Sequence, residues 1–215
     1  MQALERLDFE TAGRRVLDDI DQRIRDVFYN HRGLNWMHEA KVKPRLELAE
    51  GDAIAEIGIG AGTHIGSYAG LNYTGFDVDE RLLVYARQKA EIWKINSANI
   101  RKTADGKIPL QDESIDKMFA VATMHEVLDL EAELSEIDRV LKHGGIVVIV
   151  ERLCAIGESP AHIAKLKQIP FFLPEWFGRR GHQTSEEIFR ASYCGECQNS
   201  NPSFNFYLLA PQKPL

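Results

Sequence analysis

The chain has 215 residues, 44% of them hydrophobic and 27% charged, with a formal net charge of −6. That length and hydrophobic content suit one domain with a buried core and exclude an intrinsically disordered chain. The acidic balance excludes a protein that relies on a broad basic face to hold nucleic acid, and Arg14-Arg15 and Arg179-Arg180 read as solvated surface pairs.

The first fifteen residues carry acidic side chains early and no continuous apolar stretch, so no secretory signal is expected. Residues 1–50 read as helical, because Leu17, Ile20, Ile24, Val27 and Phe28 recur at three-to-four spacing. Gly33 breaks that pattern, and Pro44 opens a further helix at its first turn. From Gly51 the period changes to short apolar runs. Asp52–Ile57 and Asn72–Asp77 read as buried parallel strands, separated by a short helix from His64 to Ala69. Glu80–Ile95 reads as an amphipathic helix with Leu82, Leu83, Ala86, Ala90 and Trp93 on one side. Ala98–Thr103 is a weaker third strand, Ile115–Val121 a fourth, and Glu131–Leu141 a helix stopped by Gly144-Gly145. Ile146–Val150 is the clearest strand, and as the longest apolar run it is far too short to cross a bilayer. Thr184–Ala191 reads as a helix capped by Thr184 or Ser185, with Glu186 and Glu187 in its first turn. Phe204–Leu209 reads as the last strand.

Alternating strands and helices of these lengths specify an α/β, Rossmann-like, doubly wound parallel sheet with helices on both faces. In such sheets a ligand sits beyond the carboxyl ends of the strands, where the strand order reverses. The first strand ends in Glu56-Ile-Gly58-Ile-Gly60-Ala-Gly62, and glycines let the main chain turn sharply and approach a ligand closely. A dinucleotide fold wants Gly-x-Gly-x-x-Gly, but the sixth position is Thr63 from Gly58 and Ile65 from Gly60. The spacing therefore disfavours a nicotinamide oxidoreductase. Asp77 ends the second strand, where a carboxylate can accept from both hydroxyls of an adenosine ribose, while Asp79 caps the following helix. After the third strand stands Ala104-Asp105-Gly106. Asp105 can accept from an adenine amino group, and the alternative is a simple Asp-Gly turn.

Glu-x-Gly-x-Gly-x-Gly, Gly-Phe-Asp77, Ala-Asp105, Ile115-Asp116 and Arg139-Val-Leu-Lys-His-Gly-Gly145, in this order, resemble the class I S-adenosylmethionine-dependent methyltransferases. The branch they resemble most contains the ubiquinone and menaquinone C-methyltransferases, and the likeness covers roughly residues 45–152 and returns at 184–210. The resemblance implies a seven-stranded sheet, mostly parallel, with an antiparallel last strand. It implies S-adenosyl-L-methionine as methyl donor and S-adenosyl-L-homocysteine as product. By the same resemblance Glu56 supports the methionine end, Gly58, Gly60 and Gly62 approach the cofactor, and Asp77 holds the ribose. Val78 packs on the adenine, Ala104, Asp105 and Gly106 meet its edge, and Ala120 and Val121 line the cofactor beneath the methyl. Asp116 reads as structural.

His125, just past the fourth strand, is the candidate base or substrate contact, with loop packing as its other reading. Residues 1–50 are expected to form a helical cap over the active site, in which Tyr29, Trp36 and His38 close one side. Residues 51–215 form the cofactor-binding domain, with residues 152–182 a lid bearing Phe172, Trp176 and Arg179. That lining suits an aromatic or apolar small-molecule acceptor, and replacing Trp176 would weaken acceptor binding while sparing the cofactor. The other reading is a helical pair packed on its own domain or on a second subunit, an arrangement that allows a homodimer. Cys154 and the Cys194-Gly-Glu-Cys197 pair do not specify a four-ligand metal site, so no metal is expected. Odd cysteine usage and the lack of a leader point to a reducing, cytoplasmic setting without a nucleic-acid partner. A non-catalytic adenosine-binding protein on the same fold stays open as an alternative.

Overall fold

The computed structural model describes residues 37–103, 107–153, 160–192 and 203–215. Tyr29, Trp36, Ala104, Asp105, Gly106 and the three cysteines lie outside the described residues. A π-helical turn, His38–Val42, runs into α1, Lys43–Leu46, which Pro44 opens within its first turn. Then follow β1 Ala53–Ile57, β2 Asn72–Asp77, α2 Glu80–Ile92, β3 Ile100–Lys102, β4 Ile115–Val121 and α3 Leu130–Val140. The chain continues with β5 Leu141–Arg152, α4 Pro160–Arg179, β6 Gln183–Ser192 and β7 Ser203–Gln212.

The seven strands form one sheet in the order β3-β2-β1-β4-β5-β7-β6. β1 to β5 pair in parallel, and β7 runs antiparallel to both β5 and β6. Alternation along the strands divides the apolar side chains between two cores. Ile54, Phe119, Val148 and Val150 face the π-helical turn, α1 and α2, which contribute Val42, Leu46, Leu83 and Ala86. Ala55, Ile57, Met118 and Ile149 face α3 and α4, which contribute Leu134, Ile137, Leu173 and Trp176. Helices cover both faces, as a doubly wound sheet requires. Both α2 and α3 begin at the expected kind of cap: Asp79 Oδ1 accepts from Arg81 N and Asp129 Oδ1 from Ala132 N. Asp116 is structural, since it accepts from Ala53 N at 2.9 Å and from the Lys142 ammonium.

Two elements differ from the sequence reading. α3 ends at Val140, because Leu141 already pairs with Ile115 of β4, so Gly144 and Gly145 lie within β5 and do not stop the helix. Residues 184–191 are not a helix but most of β6, which pairs with β7 through ten successive residues. The Thr-Ser-Glu-Glu pattern resembles a cap locally, yet the ladder offered by β7 satisfies the whole backbone. Glu187 and Phe189 then share one face, where Glu187 meets Lys41 and Arg45 and the Lys41 ammonium lies 5.2 Å from the Phe189 ring centre.

Glu133, in the first turn of α3, is only 8% exposed, and burial, followed by the charge of Glu136, pushes its pKa up to about 7. A carboxyl whose folded pKa lies above its unfolded 4.5 carries no penalty below that pH and a full one above about 7. Glu133→Gln is therefore expected to raise stability at pH 8 by about 1–3 kcal/mol and to leave it unchanged at pH 4. Denaturant titration at the two pH values checks this.

Candidate functional site

The strand order reverses between β1 and β4, so a cleft is expected beyond their carboxyl ends. Register brings those ends level, because Ile57 lies beside Phe76 of β2 and Ala120 of β4. The glycine loop leaves β1 here with positive φ at all three glycines, 71° at Gly58, 54° at Gly60 and 79° at Gly62. L-residues adopt that conformation only at a cost. The loop is pinned to β2, since Gly58 N and Ile59 N both donate to the Phe76 carbonyl, at 2.8 and 2.9 Å.

The three glycines are needed for different reasons. A Cβ on Gly58 would overlap the Thr123 side chain, and one on Gly62 would overlap Ile65. At Gly60 a Cβ would meet nothing within 4 Å. The main chain at Gly60 thus borders open space while its neighbours are hemmed in by protein. Asp77 holds this arrangement: Oδ2 accepts from Gly60 N at 2.8 Å and Oδ1 from Asp79 N at 2.9 Å. A carboxylate has roughly four acceptor positions, so about two remain for ligand hydroxyls. Next to Asp77, Val78 is 68% exposed, an apolar surface bordering the end of β2.

Glu56 belongs to a buried network instead of facing an open cleft. Its carboxylate accepts from the Tyr73 hydroxyl, and its Oε1 lies 2.9 Å from His64 Nδ1. The His64 ring stacks on His38 at 4.3 Å between centroids, and His38 Nε2 lies 2.9 Å from the Tyr68 hydroxyl. Burial, then the neighbouring His64 and Lys43, drives the His38 pKa down to about 2, which keeps that ring neutral. Burial and the charge of Glu56 push the Tyr68 and Tyr73 hydroxyls well above their ordinary range. His38, read from sequence as lining the acceptor side, is wholly buried in this network and joins the segment before α1 to the glycine loop.

Beyond β4, Ala120 is buried and Val121 partly exposed, and Ala122 has φ 53°, with its N–H donating to the Val150 carbonyl at 2.7 Å. His125 is 2% exposed and its Nδ1 lies 2.7 Å from Glu151 Oε2. The structure thus gathers Glu56, the three glycines, Asp77, Val78, Ala120, Val121 and His125 around the ends of β1, β2 and β4. The segment read as a lid contributes differently. Within it, Pro160–Arg179 is a helix packed on the sheet; Trp176 is wholly buried, Phe172 packs at the edge of the same core, and Arg179 is exposed toward Glu175. The Arg180 guanidinium stacks 3.6 Å from the Trp176 ring centre. Trp176→Ala is accordingly expected to cost about 3–5 kcal/mol of folding stability by opening a core cavity, measurable by denaturant titration.

Sequence reasoning missed His64, Tyr73 and Glu151. A signal existed for Glu151, a lone carboxylate closing the uniformly apolar Ile146–Val150 run. None existed for Tyr73, whose partner is 17 residues away. A cavity of about 310 Å³, lined by Pro44, Arg45, Glu47, Thr184 and Gln212 among others, opens at the opposite, amino-terminal end of β5 and has no part in this site.

A family model described as "Methyltransferase domain" matches residues 55–149, the stretch from β1 through β5. Over those residues the chain is similar to the class I S-adenosylmethionine-dependent methyltransferases. Among curated relatives, a demethylmenaquinone methyltransferase of Tropheryma whipplei (strain Twist) is 30% identical over 108 residues, 49% of this chain and 44% of that protein. A phosphatidylethanolamine N-methyltransferase of Cereibacter sphaeroides is 31% identical over 104 residues, 47% of this chain and 51% of that one. The chain therefore spans about half the length of the curated relatives it matches. Among solved structures, a SAM-dependent methyltransferase from Aquifex aeolicus superposes with a TM-score of 0.61 at 19% identity, covering 87% of this chain and 92% of that one. The [4+2]-cyclase SpnF superposes at 0.60 with 18% identity, covering 81% of this chain and 79% of that one. At such identities these two matches speak for the fold alone. No helix among the described residues is long and apolar enough to cross a membrane.

Proposed function

We propose that the protein transfers a methyl group from S-adenosyl-L-methionine to a small, aromatic or apolar molecule. The observation that carries the reading is the paired geometry of Gly60 and Asp77. Open space borders the main chain at Gly60, and its N–H is held by a carboxylate with acceptor capacity to spare. This fits an adenosine whose ribose hydroxyls reach Asp77 and whose methionine end follows the glycine loop. Exposed Val78 suits the adenine face.

When bound, the sulfonium supplies a methyl that is already activated, so the protein needs no covalent intermediate of its own. The chain's part is to hold, orient and keep water out. Well-oriented positioning contributes roughly 7–11 kcal/mol in favourable cases. Asp77 holds the sugar, the glycine loop accommodates the methionine end, and Glu56 acts from behind it, fixing His64 and Tyr73. The strained turn at Ala122 closes the opposite wall. The quinone and phospholipid methyltransferases among the relatives agree with an apolar acceptor, and the exposed Leu128, three residues after His125, offers apolar surface for one.

Calorimetric titration of S-adenosylhomocysteine into the purified chain tests the reading, with NAD as the comparison. Saturable binding of the thioether and none of NAD is expected. Absence of heat with S-adenosylhomocysteine overturns it. The second reading is cofactor binding without methyl transfer, since a fold by itself does not fix the reaction. Binding with no labelled methyl passing from S-adenosylmethionine to any apolar acceptor would support it.

A further inference from the structure

The connection between β3 and β4 returns from the ligand end of the sheet to its other end, and one side chain of α3 holds it. Arg139, in the last turn of α3, has all five of its guanidinium N–H donors engaged. Nε donates to Glu136 Oε1 at 2.8 Å and Nη2 to Glu136 Oε2 at 2.7 Å, a bidentate fork. The other donors go to the loop. Nη2 reaches the Ile108 carbonyl at 2.9 Å, while Nη1 reaches the Leu110 carbonyl at 2.9 Å and Asp112 Oδ1 at 2.6 Å. Glu136 Oε2 also accepts from Ile108 N at 3.0 Å, so the pair holds both main-chain polar groups of that residue. We infer that Arg139, seated on Glu136, is a positioning residue for the adenine end of the cofactor, acting through the loop it clamps.

The path of the chain carries the argument. Thr103, just past β3, donates its N–H to the Asp77 carbonyl at 2.9 Å, which ties the start of the loop to the strand that bears the ribose carboxylate. Ile108 is the second tie: its side chain is buried in the core beneath α3 and its main chain is held by Arg139 and Glu136. Residues 104–106, expected at the adenine edge, fall between those two anchors. An acceptor that reads an amino group must be held to a fraction of an ångström, and a slack anchor forfeits that precision. Arginine suits the task because its planar fork meets a carboxylate and main-chain carbonyls at fixed angles, which a lysine ammonium does not reproduce. The step rests on the proposed function, since it presumes an adenosine at the end of β2.

Calorimetry on the whole chain with two ligands separates positioning from stability. S-adenosylhomocysteine carries the adenine amino group, and S-inosylhomocysteine has a carbonyl in its place. Wild type is expected to prefer the first by about tenfold or more, because a site built to accept from an amino group is left facing another acceptor. Arg139→Lys should cut that preference by about threefold or more, chiefly by weakening S-adenosylhomocysteine. Glu136→Gln should act in the same direction, since one amide oxygen cannot serve both the fork and Ile108 N. Asp116→Asn, which loosens a structural carboxylate of β4, should leave the preference within about twofold. A merely structural role for Arg139 would lower thermal stability and weaken both ligands alike. Amide hydrogen exchange without ligand reads the clamp itself, and the Ile108 N–H should exchange about tenfold faster or more in Arg139→Lys.

An unchanged preference in Arg139→Lys and Glu136→Gln, an Ile108 amide that exchanges as in wild type, or a wild type that binds both ligands equally overturns the inference and leaves the proposed function standing. Should Arg139→Lys not fold, Glu136→Gln decides alone. A wild type that binds neither ligand sinks the proposed function, and the inference with it.

Discussion

Asp77→Ala is expected to weaken S-adenosylhomocysteine binding by about 100-fold or more, because two charge-assisted hydrogen bonds to the ribose, each worth about 1.5–3 kcal/mol, are lost together. The structure adds a second cause. The same carboxylate holds Gly60 N and Asp79 N, so its removal also frees the glycine loop and the entry to α2. Asp77→Asn separates the two contributions. An amide retains one acceptor oxygen but must turn its NH₂ toward either Gly60 N–H or Asp79 N–H, donors both. It should therefore bind better than the alanine variant and worse than wild type. Calorimetry with S-adenosylhomocysteine reads both effects, with thermal unfolding as the control for loop loss. Undiminished binding by Asp77→Ala would remove the basis for placing a nucleoside at this site.

Alanine at Gly58 and at Gly60 should separate folding from ligand binding. At Gly58 the new Cβ meets the Thr123 side chain, and φ is 71°. Backbone strain of about 1–2 kcal/mol and overpacking of about 1–3 kcal/mol together predict a loss of roughly 2–5 kcal/mol in stability. Adding Thr123→Ala should return the overpacking share, visible as a coupling of about 0.5–3 kcal/mol in a double-mutant cycle. At Gly60, with φ 54° and no atom within 4 Å of the new Cβ, only the backbone strain applies. Gly60→Ala should keep most of its stability, yet lose S-adenosylhomocysteine affinity by about tenfold or more, because the methyl enters space left for the ligand. Denaturant titration and calorimetry on the same two variants test the contrast. If Gly60→Ala binds like wild type, the open space beside the loop is not the cofactor's.

Much of this site was legible as sequence. β2 and β4 run over the residues that the short runs between turn signals indicated, Asn72–Asp77 and Ile115–Val121. The glycine spacing and the carboxylate ending β2 marked the site because both requirements are local: a turn without Cβ, and an acceptor one strand away. The cap at Asp79 was equally readable, since a cap bonds to an amide two residues on.

The composition and order of the residues determined a doubly wound α/β chain with its candidate ligand end at Gly58–Gly62 and Asp77, because periodicity and turn chemistry act over a few residues. Only the tertiary structure decided that Gln183–Ser192 is a strand, for its ten partners lie in β7. Only the packing of α4 decided that Trp176 fills a core, and only the juxtaposition of β1, β4 and β5 with the loops that follow β1 and β4 showed Glu56 and Glu151 each gripping a histidine. Those contacts join residues 8 to 26 positions apart across different elements. A buried polar group must find its partner in space, wherever the chain brings it, and no local pattern announces where that will be.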